Sequence, residues 1–251
     1  MRGQIAGPAM LTKFTLLKRR ADLTQAEFSQ HWRTIHAKVL VEEGGHQRYN
    51  RHYVQNHFIH DTALGFCSTE FDGAAQMIPQ NATAVTKGFQ EDPLYLKVVR
   101  PDEDRFLDVA RCAVIYCEGR AFHDGPESGG YKLLSLLKRK PDHTREEFIS
   151  HWRNRHAPLV KSVPEFWRHV RGYTQYYVIP EATRGMAAGE KDIEASGYDG
   201  VAELRFDDLA ELETAFTEPR YLAVIRPDEK TFVGRGTATF VAREELIYDL
   251  G

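Results

Sequence analysis

Leu16-Leu-Lys-Arg-Arg-Ala-Asp-Leu-Thr-Gln-Ala-Glu-Phe-Ser-Gln-His-Trp-Arg-Thr-Ile-His-Ala-Lys-Val-Leu40 is read again in the same chain as Leu136-Leu-Lys-Arg-Lys-Pro-Asp-His-Thr-Arg-Glu-Glu-Phe-Ile-Ser-His-Trp-Arg-Asn-Arg-His-Ala-Pro-Leu-Val160. At a constant offset of 120 the two stretches share 13 of 25 positions, more than chance periodicity produces. The offset still holds where Tyr53 and Gln55 meet Tyr173 and Gln175. Farther on, Asp92-Pro-Leu-Tyr-Leu-Lys-Val-Val-Arg-Pro-Asp-Glu103 matches Glu218-Pro-Arg-Tyr-Leu-Ala-Val-Ile-Arg-Pro-Asp-Glu229 at offset 126. One module is therefore written twice in this chain.

The change of offset locates the insertions. The second copy carries a Gly/Ala/Glu/Lys-rich segment near residues 182–197, read as a surface loop, and the first a longer stretch around 77–87. Residues 122–130, Phe-His-Asp-Gly-Pro-Glu-Ser-Gly-Gly, are dense in turn formers and are the expected linker between modules 1–121 and 131–251.

Each module reads strand, helix, strand, strand, helix, strand. The first strands are the apolar runs at 11–17 and 131–137. Thr24-Gln-Ala-Glu27 and Thr144-Arg-Glu-Glu147 are capping boxes that start helix one at the same place in both copies. Phe28, His31, Trp32, Ile35 and Val39 then fall on one face of a 3.6-residue period, the face expected to lie on the sheet. Second strands are expected at 51–59 and 171–179, third strands near 65–71 and 201–206. After a second helix and a tight turn at Arg-Pro-Asp-Glu, the last strands follow at 106–117 and 231–241. This βαββαβ order is the ferredoxin-like α+β plan, a four-stranded antiparallel sheet with both helices on one face. One such module leaves a sheet face bare, and the fused copy covers it, so the two sheets are expected to face each other within the chain.

Composition narrows the function classes. With 33 Lys and Arg against 36 Asp and Glu, the net charge of −3 offers no electrostatic footprint for nucleic acid or an anionic membrane. No run approaches the ~18 apolar residues of a membrane helix, and the N-terminal stretch has no sustained apolar region, so a cytoplasmic location is expected. Three cysteines, Cys67, Cys112 and Cys117, are an odd number without CxxC spacing and read as buried, reduced thiols. Cys112 and Cys117, five apart in an apparent strand, fall on opposite faces and do not pair.

At Leu17-Lys-Arg-Arg, Thr24-x-x-Glu27-Phe28, His31-Trp32-Arg33 and His36-Ala37 the sequence resembles the EthD family of the dimeric α/β-barrel superfamily. Lys138-Arg139, Thr144, Glu147-Phe148, His151-Trp152-Arg153 and His156-Ala157 reproduce the signature. The resemblance covers most of both copies. It implies two ferredoxin-like modules paired into a barrel, with a pocket between sheet and helices in each half. Members are associated with breakdown of small organic pollutants and tailoring of aromatic polyketides, including dehydratase-like steps, generally without a dedicated cofactor. Related branches include cyclases, isomerases, monooxygenases and haem enzymes, so the fold leaves the chemistry open.

His36 and His156 are the first catalytic candidates. They lie one turn after Trp32 and Trp152, near the expected C-terminal end of helix one, where imidazole acts as acid or base near neutral pH. The competing reading is a histidine that caps the helix end. His31 and His151, on the apolar face, are candidates for substrate binding or core histidines bonded to backbone. On strand two, Tyr53, Gln55 and His57 share a face, as do Tyr173, Gln175 and Tyr177. Tyr53 and Tyr173 are the candidate hydrogen-bond donors to a reacting oxygen. Trp32, Gln55, His57, Trp152 and Gln175 are assigned to substrate contact. His52 and His57 occur only in the first copy, so if one half alone is catalytic the first is favoured. Convergence of His31, His36, His52 and His57 on a metal is the weaker reading, since no HExxH spacing is present. Neither a dinucleotide fingerprint nor a P-loop occurs, and no haem-specific motif, so no cofactor is expected.

The expected function is a cofactor-independent lyase or isomerase, dehydratase-like, acting on a hydrophobic oxygenated aromatic or alicyclic small molecule. The alternatives are a non-catalytic small-molecule carrier and, more weakly, a cofactor-free monooxygenase. One chain is sufficient to close the barrel. Homodimers of whole chains are expected only because symmetric dimers are the commonest assembly.

Overall fold

The computed structural model describes residues 10–81, 88–125, 130–182, 194–195 and 197–251. Alternation along β1 (Met10–Leu17) sends Thr12, Phe14 and Leu16 to one face and Lys13, Thr15 and Leu17 to the other. The remaining strands are β2 (Asn50–Ile59), β3 (Gly73–Pro79), β4 (Ala113–His123), β5 (Tyr131–Leu137), β6 (Gly172–Val178), β7 (Glu194–Ala195), β8 (Gly200–Phe206) and β9 (Ala238–Asp249). Each half forms an antiparallel sheet, β4-β1-β3-β2 in the first and β9-β5-β8-β6 in the second. β2 pairs with β9 and β4 with β6, which closes the two sheets into one eight-stranded antiparallel barrel; the short β7 adds parallel to β4.

The barrel interior is a single core drawn from both halves, including Phe14, Leu16, Phe58, Ile115, Leu134, Leu136, Tyr176, Val201 and Phe240. Phe58 stacks on Phe240 at 4.2 Å and Phe14 meets Tyr176 edge-on at 5.0 Å, each pair joining one half to the other. Burial of such side chains contributes about 1.5–3 kcal/mol apiece, which neither sheet secures alone. One end of the interior is polar. Lys132, fully buried, is ion-paired with Glu203 and Glu244, Arg205 bridges the same two carboxylates, and Gln76 donates to Tyr176 across the halves at 2.9 Å.

On the outside of the barrel, α1 (Gln25–His31) starts at its capping box: Thr24 Oγ1 accepts from the Glu27 amide at 3.2 Å and Glu27 Oε2 from the Thr24 amide at 2.8 Å. The helical path does not stop at His31. It continues through π-helical turns at Trp32–His36 and Val39–Glu43. Helix α2 (Arg100–Phe106) follows a π turn at Tyr95–Val99. In the second half, α3 (Arg145–His151) leads through a π turn at Trp152–His156 into α4 (Ala157–Lys161) and α5 (Pro164–Trp167). There α6 (Leu209–Thr217) and a π turn at Tyr221–Ile225 precede α7 (Arg226–Phe232).

Several local expectations are corrected. The five-residue π turn rotates the helix face by one position, so Ile35 is 47% exposed and His36 takes the buried slot. His36 and His156 lie inside a continuing helix, not at its end, so the capping reading fails. Arg-Pro-Asp-Glu is not a tight turn. Pro101 and Pro227 are the second residues of α2 and α7, just after the π turns. Phe106 and Phe232 end those helices, and the last strands begin only at Ala113 and Ala238. The third strand of the first module is β3, not 65–71. Leu64 joins the core of the other half and Phe66 lines its cavity, so the apolar run reports burial but not a strand. Cys112 precedes β4, Cys117 lies within it, and Cys67 is only partly buried; all three are free. β4 runs to His123, two residues into the segment read as a linker, and 126–129 lie outside the described residues, as do 82–87 and most of 182–197. No helix among the described residues is long and apolar enough to cross a membrane.

Candidate functional site

Between helices and sheet each half holds a cavity, about 80 Å³ in the first and about 310 Å³ in the second. Tyr53, Trp32 and His36 reach the first; Tyr173, Trp152 and His156 reach the second. The local fold brings each trio together in the same way. β3 and β8 are entered through Asp72-Gly73 and Asp199-Gly200, where the carboxylates receive the amides of Arg19 and Arg139. A Cβ on Gly73 would stand 2.6 Å from Trp32 Cζ3, and one on Gly200 2.5 Å from Trp152 Cζ3, so only glycine admits the indole against the strand.

Each tryptophan carbonyl takes the π-turn amide, from Ala37 or Ala157, and accepts a side-chain donor on its second lone pair. Gln55 Nε2 reaches the Trp32 carbonyl at 2.9 Å and Tyr53 Oη at 3.1 Å; Gln175 Nε2 reaches the Trp152 carbonyl at 3.0 Å and Tyr173 Oη at 2.6 Å. Trp32 Nε1 also donates to Tyr53 Oη at 3.0 Å. Since the phenol oxygens accept, their own protons remain to be donated elsewhere. Burial pushes the pKa of both phenols up, against the pull of the glutamine and tryptophan hydrogen bonds, so both are neutral donors.

Two helices meet at a carboxylate. His36 Nδ1 and His31 Nε2 engage Asp102 at 2.8 and 2.9 Å, and His156 Nδ1 and His151 Nε2 engage Asp228 at the same two distances. Burial opposes ionisation of Asp102, but hydrogen bonds and charge from His36 and His31 outweigh it and hold its pKa below the carboxylate range. For Asp228 the hydrogen bond from His156 is the leading cause of the same lowering. An Asp-bound Nδ1 fixes the ring and leaves Nε2 as the nitrogen of His36 and His156 not engaged by the carboxylate, the arrangement of a positioned general base. A second carboxylate lines each cavity. Glu103 accepts from Tyr95 at 2.6 Å and is raised in pKa by burial; Glu229 accepts from Tyr221 at 3.2 Å and from Arg226 at 2.7 Å.

The other expected contacts stand behind the cavity walls. Ser29 Oγ bonds His57 Nδ1 at 2.8 Å and His57 Nε2 bonds Gln55 Oε1 at 3.0 Å, so His57 orients the glutamine. Tyr177 donates to Gln175 Oε1 at 2.6 Å in the same role. His52 faces Asp249 at 3.4 Å, so the four histidines considered for a metal do not converge. Among the described residues no group of three or more His, Cys, Asp or Glu side chains is placed to hold a metal ion.

Asp102, Glu103, Tyr95 and their counterparts Asp228, Glu229 and Tyr221 were not anticipated. Their signal was present in the repeated Tyr-Leu-x-Val-x-Arg-Pro-Asp-Glu stretch, where a turn reading hid the inward carboxylates.

An anthrone oxidase-like protein aligns over 98% of both chains at 11% identity with a TM-score of 0.62. A protein from Lactobacillus acidophilus provisionally named a monooxygenase covers 97% of this chain and 98% of its own at 11% identity, TM-score 0.52. Both likenesses concern the fold alone. No curated protein matches. The EthD domain model matches twice, at residues 20–110 and 140–236, each match spanning its half's His-Trp-Arg motif and Asp-Glu pair. With both copies matched, the chain belongs to the EthD family.

Proposed function

We propose that the second-half cavity is a proton-transfer site for a hydrophobic oxygenated small molecule, acting as an isomerase or dehydratase-type lyase without a bound cofactor. The observation that carries this is that His156, held from behind by Asp228, lines the same cavity as Tyr173. Ligand-sized pockets begin near ~300 Å³. By that measure the second cavity accommodates a ring system, and the first has room only for a few waters. Volume therefore favours the second half, against the preference drawn from its fewer histidines.

In this reading His156 Nε2 takes the proton from a carbon beside a carbonyl, and the C–H electron pair becomes an enolate. The Tyr173 hydroxyl donates to the enolate oxygen, and Asp228 stabilises the imidazolium. Return of the proton to a different carbon isomerises the substrate. Departure of a β-hydroxyl as water, with the proton supplied by His156, dehydrates it. The same carbanion reacting with dioxygen is the second reading, kept because the anthrone oxidase-like and monooxygenase-named proteins share the fold.

A panel of cyclic ketones and anthrone-type phenols in deuterated water tests the shared step. Enzyme-dependent loss of the α-proton signal in NMR spectra is expected, falling about 10²-fold or more in His156→Ala and Tyr173→Phe. Dioxygen uptake would point to the second reading. Ligands bound without exchange would instead make the protein a carrier, and unchanged exchange in both variants would remove these residues from the chemistry.

A further inference from the structure

Lys230 and Arg235 line the larger cavity and are exposed, and among the described residues no ion pair holds either side chain. The acids nearby are committed elsewhere. Glu229 accepts from Arg226 and Tyr221, Asp199 is paired with Arg139, and Asp142 is bonded to His143. Val233, Gly234 and Arg235 also line an adjoining open cleft of about 700 Å³, together with Lys138 and Lys140. In a chain of net charge −3 this concentration of cations is local.

The internal repeat supplies the control. The aligned positions in the first half hold Asp104 in place of Lys230 and Val109 in place of Arg235, and Asp104 is itself tied to Arg100 at 3.1 Å. The tryptophan, histidine, tyrosine, glutamate and phenylalanine of the inner wall are retained in both halves. Among the described residues, only the second half therefore combines a ligand-sized cavity with lining cations that no ion pair holds. Charges of one sign at the rim of a low-dielectric cleft focus the field on a ligand of the other sign. An arginine fork matches a planar carboxylate, and a lysine adds a point charge.

We infer that the second half takes an amphiphilic anion, its ring body in the cavity and a carboxylate at the mouth between Lys230 and Arg235. This rests on the reading of that cavity as the substrate site and names the substrate class. The carboxylate stays at the rim, away from Tyr173 and His156, so the reacting carbonyl belongs to the ring body.

Calorimetry with 2-naphthoate and its uncharged analogue 2-naphthamide tests the inference on the full chain. The chain is expected to prefer the naphthoate by about tenfold or more at low salt, the preference shrinking as salt is added. In the double variant Lys230→Asp, Arg235→Val, which installs the first-half residues at two exposed positions, the preference should vanish while naphthamide affinity is kept. Equal affinity of the wild type for both probes, or a preference surviving in the double variant, overturns the anion inference alone. Absence of affinity for either probe overturns it together with the cavity reading. Tight naphthoate binding combined with no proton exchange on any substrate would leave this inference standing and remove the catalytic one.

Discussion

Lys13 on β1 stands opposite Tyr116 on β4, whereas at the same register of the second half Leu133 on β5 stands opposite Val241 on β9. Lys13 and Tyr116 both line the first cavity, Lys13 with its ammonium 5.6 Å over the Tyr116 ring. Where the first half adds His46, bonded to Tyr248 and Asn50, the second has Phe166. The histidine–aspartate pair and the glutamine-held tyrosine are kept through these exchanges, while the room in front of them differs, about 80 Å³ against about 310 Å³. A duplicated scaffold thus separates two things usually confounded in one site: the catalytic-looking geometry, which both halves keep, and the space to use it, which one half has. A repeated constellation is not by itself two active sites.

Replacing the carboxylate in each half tests whether the same geometry does the same work. Asp228→Asn is expected to slow proton exchange about 10²-fold, because the imidazolium loses its counter-charge. Asp102→Asn should leave the rate within about twofold and lower unfolding stability by about 1–3 kcal/mol, since it loosens two hydrogen bonds, one buried and one partly buried. Exchange kinetics and urea unfolding on both variants check this, and equal rate losses would make the halves equivalent.

A smaller asymmetry is expected in acid. Burial pushes both His46 and His57 down to about 3, while an unfolded histidine titrates near 6.5. Their folded pKa values are depressed, so the stability they confer is full above about 6.5 and is lost as pH falls toward about 3. The second half has Phe166 and Tyr177 at these positions, so that loss belongs to the first half. His57→Tyr borrows the second half's residue and its hydrogen bond to the glutamine. It should retain roughly 2 kcal/mol more stability at pH 5 relative to pH 7 than the parent does. Urea midpoints across that range measure it; parallel pH curves would show that His57 is not the acid-sensitive group.

The fold was legible in the sequence because it is carried by repetition, capping boxes and alternation. Helix starts at Thr24 and Thr144, strands β2 and β6 and the closed barrel all follow from these. What was not legible had a specific cause. The π turns shift a face by one residue, which periodicity at 3.6 cannot register, and so Ile35 was placed inward in place of His36. Phe71-Asp72-Gly73 and Tyr198-Asp199-Gly200 match only at offset 127, between two insertions, so the true start of β3 was hidden behind the apolar loop at Leu64 and Phe66. For the site, the motif histidines and strand-two tyrosines were readable. Asp102 and Asp228 were not, because a proline two residues into a helix looks the same in sequence as one that begins a turn. Cavity volume depends on pairs such as Lys13 with Tyr116, which only the strand register brings together.

That the second cavity is the working site and the first is too small for a ring system is tested most directly by a crystal structure with 1-naphthol, a stand-in for the enol form of a substrate. Density for the two-ring molecule is expected in the second cavity alone, its hydroxyl within hydrogen-bond distance of both Tyr173 Oη and His156 Nε2. Density in the first cavity beside Tyr53 and His36, or a naphthol in the second with its hydroxyl turned away from both residues, would contradict it.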